Sequence, residues 1–168
     1  MYKRPKFIAK KECVFPISFH DTDAMQVVWH GNYIKFFELA REAMFEEFGY
    51  TYEQMQKDKL IFPITEVSCK YRRSLTINDK ALKVIAMLTD FEGKLIVCYE
   101  VYKVGDDKHL CAYGKTEQVA MTTDTLELQF QTPKALLEAI DRHAKANSLG
   151  HKSFITLCLF ISFCYTSA

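Results

Sequence analysis

Hydrophobic and polar positions change period along this chain, and each change marks an element. The run ECVFPISF (12–19) is short, apolar and aromatic-rich, and predicts a strand ending at an acidic loop. From Asn32 the spacing becomes helical. Tyr33, Ile34, Phe36, Phe37, Ala40, Ala43, Met44 and Phe48 recur on one side, while Lys35, Glu38, Arg41, Glu42, Glu46 and Glu47 fill the other. Gly49 is placed to stop this helix, which makes about five turns at 3.6 residues per turn. It is apolar enough for a sheet to wrap around.

A short helical or irregular piece, TYEQMQKD, leads to strand-like runs at 60–73, 81–90, 95–104 and 109–121. The breaks SLTIND, FEGK and GDDK carry Gly, Asn or Asp, so they predict hairpin turns and antiparallel neighbours. In the second run Leu82, Val84, Ala86 and Leu88 line one face, with Lys83 and Thr89 among the other set. A weaker strand is expected at 126–131. PKALLEAIDRHAKA (133–146) then opens with proline at a helix start and sets Leu136, Leu137, Ile140 and Ala144 on one side. Strand, long helix and meander in that order predict an α+β domain spanning 1–147. The tail 148–168 departs in composition, and its apolar or small-polar run from Phe154 to Tyr165 falls short of the roughly 20 residues a membrane span needs. That tail is expected to be buried against the domain or a neighbour, to anchor peripherally, or to have no role.

Composition narrows the class. With 168 residues, 49% apolar and 26% charged, the chain can bury one ordinary globular core. A formal net charge of +1 gives no bulk electrostatic reason to expect nucleic acid or a membrane surface as a partner. The basic start MYKRPKFIAKKE lacks the apolar stretch of a secretory signal, and the six cysteines (13, 69, 98, 111, 158, 164) form no CxxC pair. Reduced thiols and a cytoplasmic location are the expectation.

Candidate chemistry concentrates in DTDAMQVVWHGNY (21–33), which holds two acids, the only tryptophan and a histidine. His20, Asp21, Asp23 and His30 lack the paired spacing of a zinc site and the dense oxygen series of a calcium loop, so no metal is expected. There is no GxSxG elbow and no glycine-rich phosphate loop, and no bound cofactor is expected. Two readings remain. In one, Asn32 or an aspartate caps the helix. In the other, the loop carries Asp23 over the helix N-terminus while Val27, Val28 and Trp29 bury against the sheet. Unpaired helix amides would then polarise a carbonyl that the carboxylate attacks, directly or through water.

The composite HDTDAMQVVWHGNYIKFFELAR resembles the signature of the 4-hydroxybenzoyl-CoA thioesterase class of hot-dog proteins, including the acyl-CoA thioesterases associated with the Tol-Pal system. The resemblance covers about residues 10–146 and implies an antiparallel sheet wrapped around the 32–48 helix, in a homodimer or homotetramer. It implies that Asp23 is the catalytic nucleophile or general base and that the His30 amide polarises the thioester carbonyl. Gln26, Val28, Trp29, Asn32 and Tyr33 would line the substrate. Ser68, Lys70, Arg72 and Arg73, on the strand after the helix, would offer basic or polar groups to the CoA phosphates. Asp21 would organise the loop, and Glu38 and Arg41 would pair on the helix surface. The family commonly has glycine where this chain has Gln26, which implies an altered loop or a side chain reaching the acyl group. The implied activity is hydrolysis of acyl-CoA or acyl-carrier protein. A hot-dog hydroxyacyl-thioester dehydratase and a non-catalytic acyl-CoA-binding protein are the rival readings.

Overall fold

The computed structural model describes residues 2–147; the tail 148–168, with Cys158 and Cys164, lies outside the described residues. The elements run β1 (Ala9–Pro16), α1 (Asn32–Glu47), α2 (Tyr52–Lys57), β2 (Leu60–Ile61), β3 (Ile64–Tyr71), β4 (Ala81–Asp90), β5 (Leu95–Lys103), β6 (Asp106–Gln118), β7 (Ala120–Thr122), β8 (Leu128–Gln129) and α3 (Lys134–Asn147). Five antiparallel strands form the main sheet in the order β1-β4-β5-β6-β3, and β2-β7-β8 make a smaller one. Helix α1 lies on one face of the main sheet and touches β1, β4 and β3.

Period two decides which side chains meet it. Leu82, Val84, Ala86 and Leu88 share a core with Tyr33, Phe36, Phe37, Ala40 and Met44 of α1. Ile85 and Met87, between them, build a smaller cluster with Tyr102 on the outer face. There Arg4 pairs with the buried Glu100, and the Tyr2 ring packs on Tyr113 at 4.3 Å between centroids. The helix ends as its glycine predicts: Gly49 has φ +70°, its N–H bonds Glu46 O, and Tyr50 N–H bonds Phe45 O.

Three departures from the periodic reading have physical causes. The run 60–73 is two strands, because Pro63 has no N–H for a ladder and separates β2 from β3. SLTIND is a crossover rather than a hairpin, since β3 pairs with β6 and lies at the opposite edge from β1 and β4. Leu75 drives that path by burying in the core, and Asp79 Oδ2 then closes a tight turn by accepting from Thr76 N and Oγ1 at 2.7 and 3.1 Å. Arg41, assigned to the polar side of α1, is only 4% exposed, because the sheet covers more of this helix than one stripe.

Phe37 of α1 presses on β6 at Gly114. Phe37 stacks on Tyr99 at 4.3 Å and 8°. A Cβ at Gly114 would collide with the Ser68 carbonyl oxygen and stand 2.7 Å from Phe37 Cε2. The helix sits this low because that side chain is missing. Gly114→Ala should therefore destabilise the domain by about 1–3 kcal/mol through overpacking, read as a lower midpoint in urea; an unchanged midpoint would show that α1 does not press on β6.

Candidate active site

The segment before α1 is held by Asp21. Its Oδ2 accepts from Ser18 N at 2.9 Å and Ser18 Oγ at 2.7 Å, and Oδ1 accepts from Lys35 Nζ at 3.0 Å. Burial works against its charge, but the bonds from Ser18 and Lys35 outweigh it and hold the carboxyl below the ordinary aspartate range. The Asp21 carbonyl accepts from Trp29 N at 2.9 Å and from Asn32 Nδ2 at 3.0 Å. Asn32 is thus the first helical residue and a tether to the loop, not the cap; the cap position is Gly31.

Beyond Asp21 the chain folds back on itself. Thr22 bridges Val28, Asp23 N bonds Val27 O at 2.8 Å, and Gln26 N bonds Asp23 O at 2.9 Å. The turn needs a left-handed residue, and Gln26 supplies it at φ +61°. The non-glycine residue thus takes a backbone conformation that glycine adopts readily, and its side chain is exposed. The crossover after β3 supports the loop from below: Val28 N bonds Leu75 O at 2.8 Å, and Ile77 N bonds Gln26 O at 3.1 Å.

Asp23 stands exposed at the tip of this fold. Its Oδ1 accepts from Met25 N at 2.8 Å and Val27 N at 3.2 Å, whereas Oδ2 makes no hydrogen bond among the described residues. One oxygen fixes the carboxylate and the other remains available. At the helix mouth, the amides of His30 and Gly31 make no hydrogen bond among the described residues either.

Aromatic rings surround that mouth. Trp29 was expected to bury against the sheet with Val27 and Val28. Only Val28 reaches the core, while Trp29 is 48% exposed, because its ring folds back over Gly31, where any Cβ would strike it. Its centroid is 4.9 Å from that of His30. Tyr71 was missed by the sequence reading. Its hydroxyl donates to His30 O at 2.9 Å, and its ring lies 5.2 Å from Tyr33 and 6.4 Å from His30. Burial raises its phenol to about 12, so it remains a neutral donor. Alternation along β3 was the available signal, since Tyr71 falls on the helix face with Cys69 and Val67.

The other candidates separate by the same alternation. Tyr33 and Val28 are core residues. Lys70 pairs in register with Tyr113 on the outer face, and Ser68 shares that face opposite Lys115. Arg72 lies over the Tyr113 ring at 5.7 Å, and Arg73 is exposed at the strand end. Cys69 and Cys111 are free thiols that burial pushes up, away from the thiolate form. Among the described residues no three His, Cys, Asp or Glu side chains gather as metal ligands, and no helix is long and apolar enough to cross a membrane.

The depressed Asp21 carboxyl fixes the sign of a pH dependence. Its contribution to stability is full above the unfolded aspartate value of about 3.9 and is lost as pH falls through the lower folded value. Asp21→Asn should cost about 1.5–3 kcal/mol at pH near 7, the scale of hydrogen bonds to a charged group. In urea unfolding, the gap from wild type should close as pH falls from the unfolded aspartate value through the lower folded one; a gap independent of pH would show that the charge of Asp21 contributes nothing.

Comparisons with known proteins agree with this architecture. Residues 17–140 match the model of the thioesterase-like superfamily. YneP of Bacillus subtilis is 28% identical over 96 residues, covering 56% of this chain and 67% of YneP. The acyl-CoA thioester hydrolase YbgC of Escherichia coli is 23% identical over 124 residues, covering 74% of this chain and 87% of YbgC. A DHNA-CoA thioesterase from Staphylococcus aureus shares the fold, with a TM-score of 0.70 at 24% identity over 86% of this chain and 97% of that one. The chain belongs to the thioesterase-like superfamily of hot-dog enzymes.

Proposed function

We propose that the protein hydrolyses acyl-CoA thioesters at the mouth of α1, with Asp23 as the reacting carboxylate and the His30 amide as the donor to the thioester oxygen. The observation that carries this reading is the state of Asp23: Oδ1 is held by two amides of its own turn, and Oδ2 makes no hydrogen bond among the described residues, at the tip of the loop that leads into the aromatic helix mouth. The thioester carbonyl oxygen accepts from the free amide, which lowers the cost of the negative charge that grows there. Asp23 Oδ2 either attacks the carbonyl carbon or takes a proton from the water that does. The C–S bond breaks with its electron pair going to sulfur, which leaves as CoA thiolate and is protonated by solvent. In the first route water then cleaves the acyl-aspartyl anhydride; in both the products are acid and thiol.

The strand β3 bears on assembly. It closes one edge of the main sheet, and most of its residues are exposed, Ile64, Val67 and Tyr71 among them. An apolar edge of this length is normally covered, and a second copy pairing its own β3 there would cover it. The protein is then a homodimer or larger even-numbered assembly in solution; sedimentation as a monomer at micromolar concentration would refute this.

Asp23→Asn tests the chemistry cleanly, because the asparagine oxygen can still accept from Met25 N and Val27 N. Turnover of acyl-CoA should fall about 10²–10⁴-fold with melting temperature held. Products are best read by chromatography, since a thiol-reactive dye would also titrate the protein's cysteines. Near-normal turnover in the variant would remove Asp23 from the mechanism.

A further inference from the structure

Tyr71 has no task in the reaction at Asp23, yet its hydroxyl ends on the peptide that joins His30 to Gly31. Trp29, His30, Gly31 and Asn32 make a β-turn, closed by Asn32 N donating to Trp29 O at 2.9 Å. Both outer residues are tied to one atom: the Asp21 carbonyl accepts from Trp29 N at 2.9 Å and from Asn32 Nδ2 at 3.0 Å. The peptide in the middle, His30 C=O to Gly31 N–H, is the part that these bonds leave able to rotate.

A central turn peptide has two orientations. In a type I turn the third residue has φ near about −90°; turning the peptide over gives type II, with φ near about +80°, which glycine takes at no steric cost. Gly31 stands at φ −67° and ψ −28°, on the type I side. Glycine is demanded here by Trp29, whose ring occupies the place of any Cβ, and that same lack of a side chain leaves the other orientation open. The choice matters to the mouth. As observed, the Gly31 N–H points the same way as the His30 N–H, as successive amides at a helix start do. Neither makes a hydrogen bond among the described residues. Turned over, the peptide would set the His30 carbonyl oxygen where the Gly31 N–H was, and would repel negative charge on a substrate oxygen.

The Tyr71 hydroxyl selects between the two. It donates to His30 O at 2.9 Å, a bond that turning the peptide would break. The first turn of α1 does not replace it, since Ile34 N goes to Gly31 O at 3.2 Å. The Tyr71 ring is itself held edge-on by Tyr33 at 5.2 Å and His30 at 6.4 Å. All these contacts lie within one chain, so they stand whether or not a second copy covers the β3 edge. Donation to the carbonyl also polarises the amide, which makes its N–H a stronger donor.

We infer that Tyr71 is a positioning residue that locks the His30–Gly31 peptide with its N–H toward the thioester oxygen, so that Gly31 and His30 donate to it as a pair. The inference rests on the thioesterase reading above. Donors contribute most to an oxyanion when they are aimed before its charge develops, and the lock supplies that for the one amide free to turn away.

The test uses the full chain and Tyr71→Phe, which keeps the ring contacts and removes only the hydroxyl. In steady-state hydrolysis of acyl-CoA, kcat should fall about tenfold, the scale of one neutral hydrogen bond, with KM held within about twofold. The pH profile of kcat should not move. Proton–nitrogen correlation spectra are then recorded with an acyl-CoA ketone in which CH2 replaces the thioester sulfur. The His30 and Gly31 amide resonances should both shift in wild type, and Gly31 should shift less in Tyr71→Phe. Unchanged kcat, a loss carried by KM, or a displaced pH profile would each overturn the positioning role. A Gly31 resonance that stays while His30 shifts would overturn the donor pair and leave the thioesterase reading standing. Neither resonance shifting would overturn both readings together. Should Tyr71→Phe fail to fold, the wild-type spectra decide.

Discussion

Everything at the mouth of α1 hangs on Asp21, a carboxylate that touches no reacting atom in the proposed chemistry. Its side chain closes the Ser18 turn and draws in Lys35 of the helix, while its carbonyl holds both the Trp29 amide and the Asn32 side chain. One residue thus fixes where β1 stops, where the return strand of the loop lies, and where the helix begins. Asp23 gets its place from that arrangement, two residues on along a short antiparallel ladder. The two acids of DTD divide the labour: the buried one is fully bonded and orders the loop, and the exposed one keeps an oxygen unengaged.

The crossover from β3 to β4 is the second half of the same construction. Because β3 leaves the meander and pairs at the far edge, the chain must return past the loop, and Leu75, Thr76 and Ile77 bond to it on the way. The edge position of β3 also brings Tyr71 against His30. Topology therefore supplies the floor and one wall of the site from Tyr71, Leu75, Thr76 and Ile77, all far along the chain from the loop. A hairpin between β3 and β4 would have supplied neither.

This explains what the sequence made legible. Helix α1 and the inward set of β4 followed from periodicity alone, since each is a local pattern that the core enforces. Taken as isolated letters, a helix cap is as good a reading; the spacing of Asp23 ahead of the helix start favours a carboxylate near free amides, and the specific roles of Asp23 and the His30 amide come from resemblance to a family. Tyr71, Leu75 and the burial of Arg41 were not legible for a common reason: each depends on a partner distant in sequence. Trp29 was misplaced because tryptophan is usually buried, and nothing local says that Gly31 offers its ring a seat outside the core.

Gln26 shows how strictly the loop geometry is held. A left-handed conformation costs a non-glycine residue about 1–2 kcal/mol, yet the turn is kept, with Asp23 O and the Ile77 amide both bonded to the backbone of residue 26. Relaxing Gln26 to ordinary φ would turn its carbonyl away from Ile77 and break the link to the crossover. The Asp23–Gln26 turn would open at the same time, and with it the pair of amides that orient the carboxylate. The strain is thus tolerated at one residue because the backbone bonds on both sides of it hold the turn, and the same bonds set the direction of Asp23.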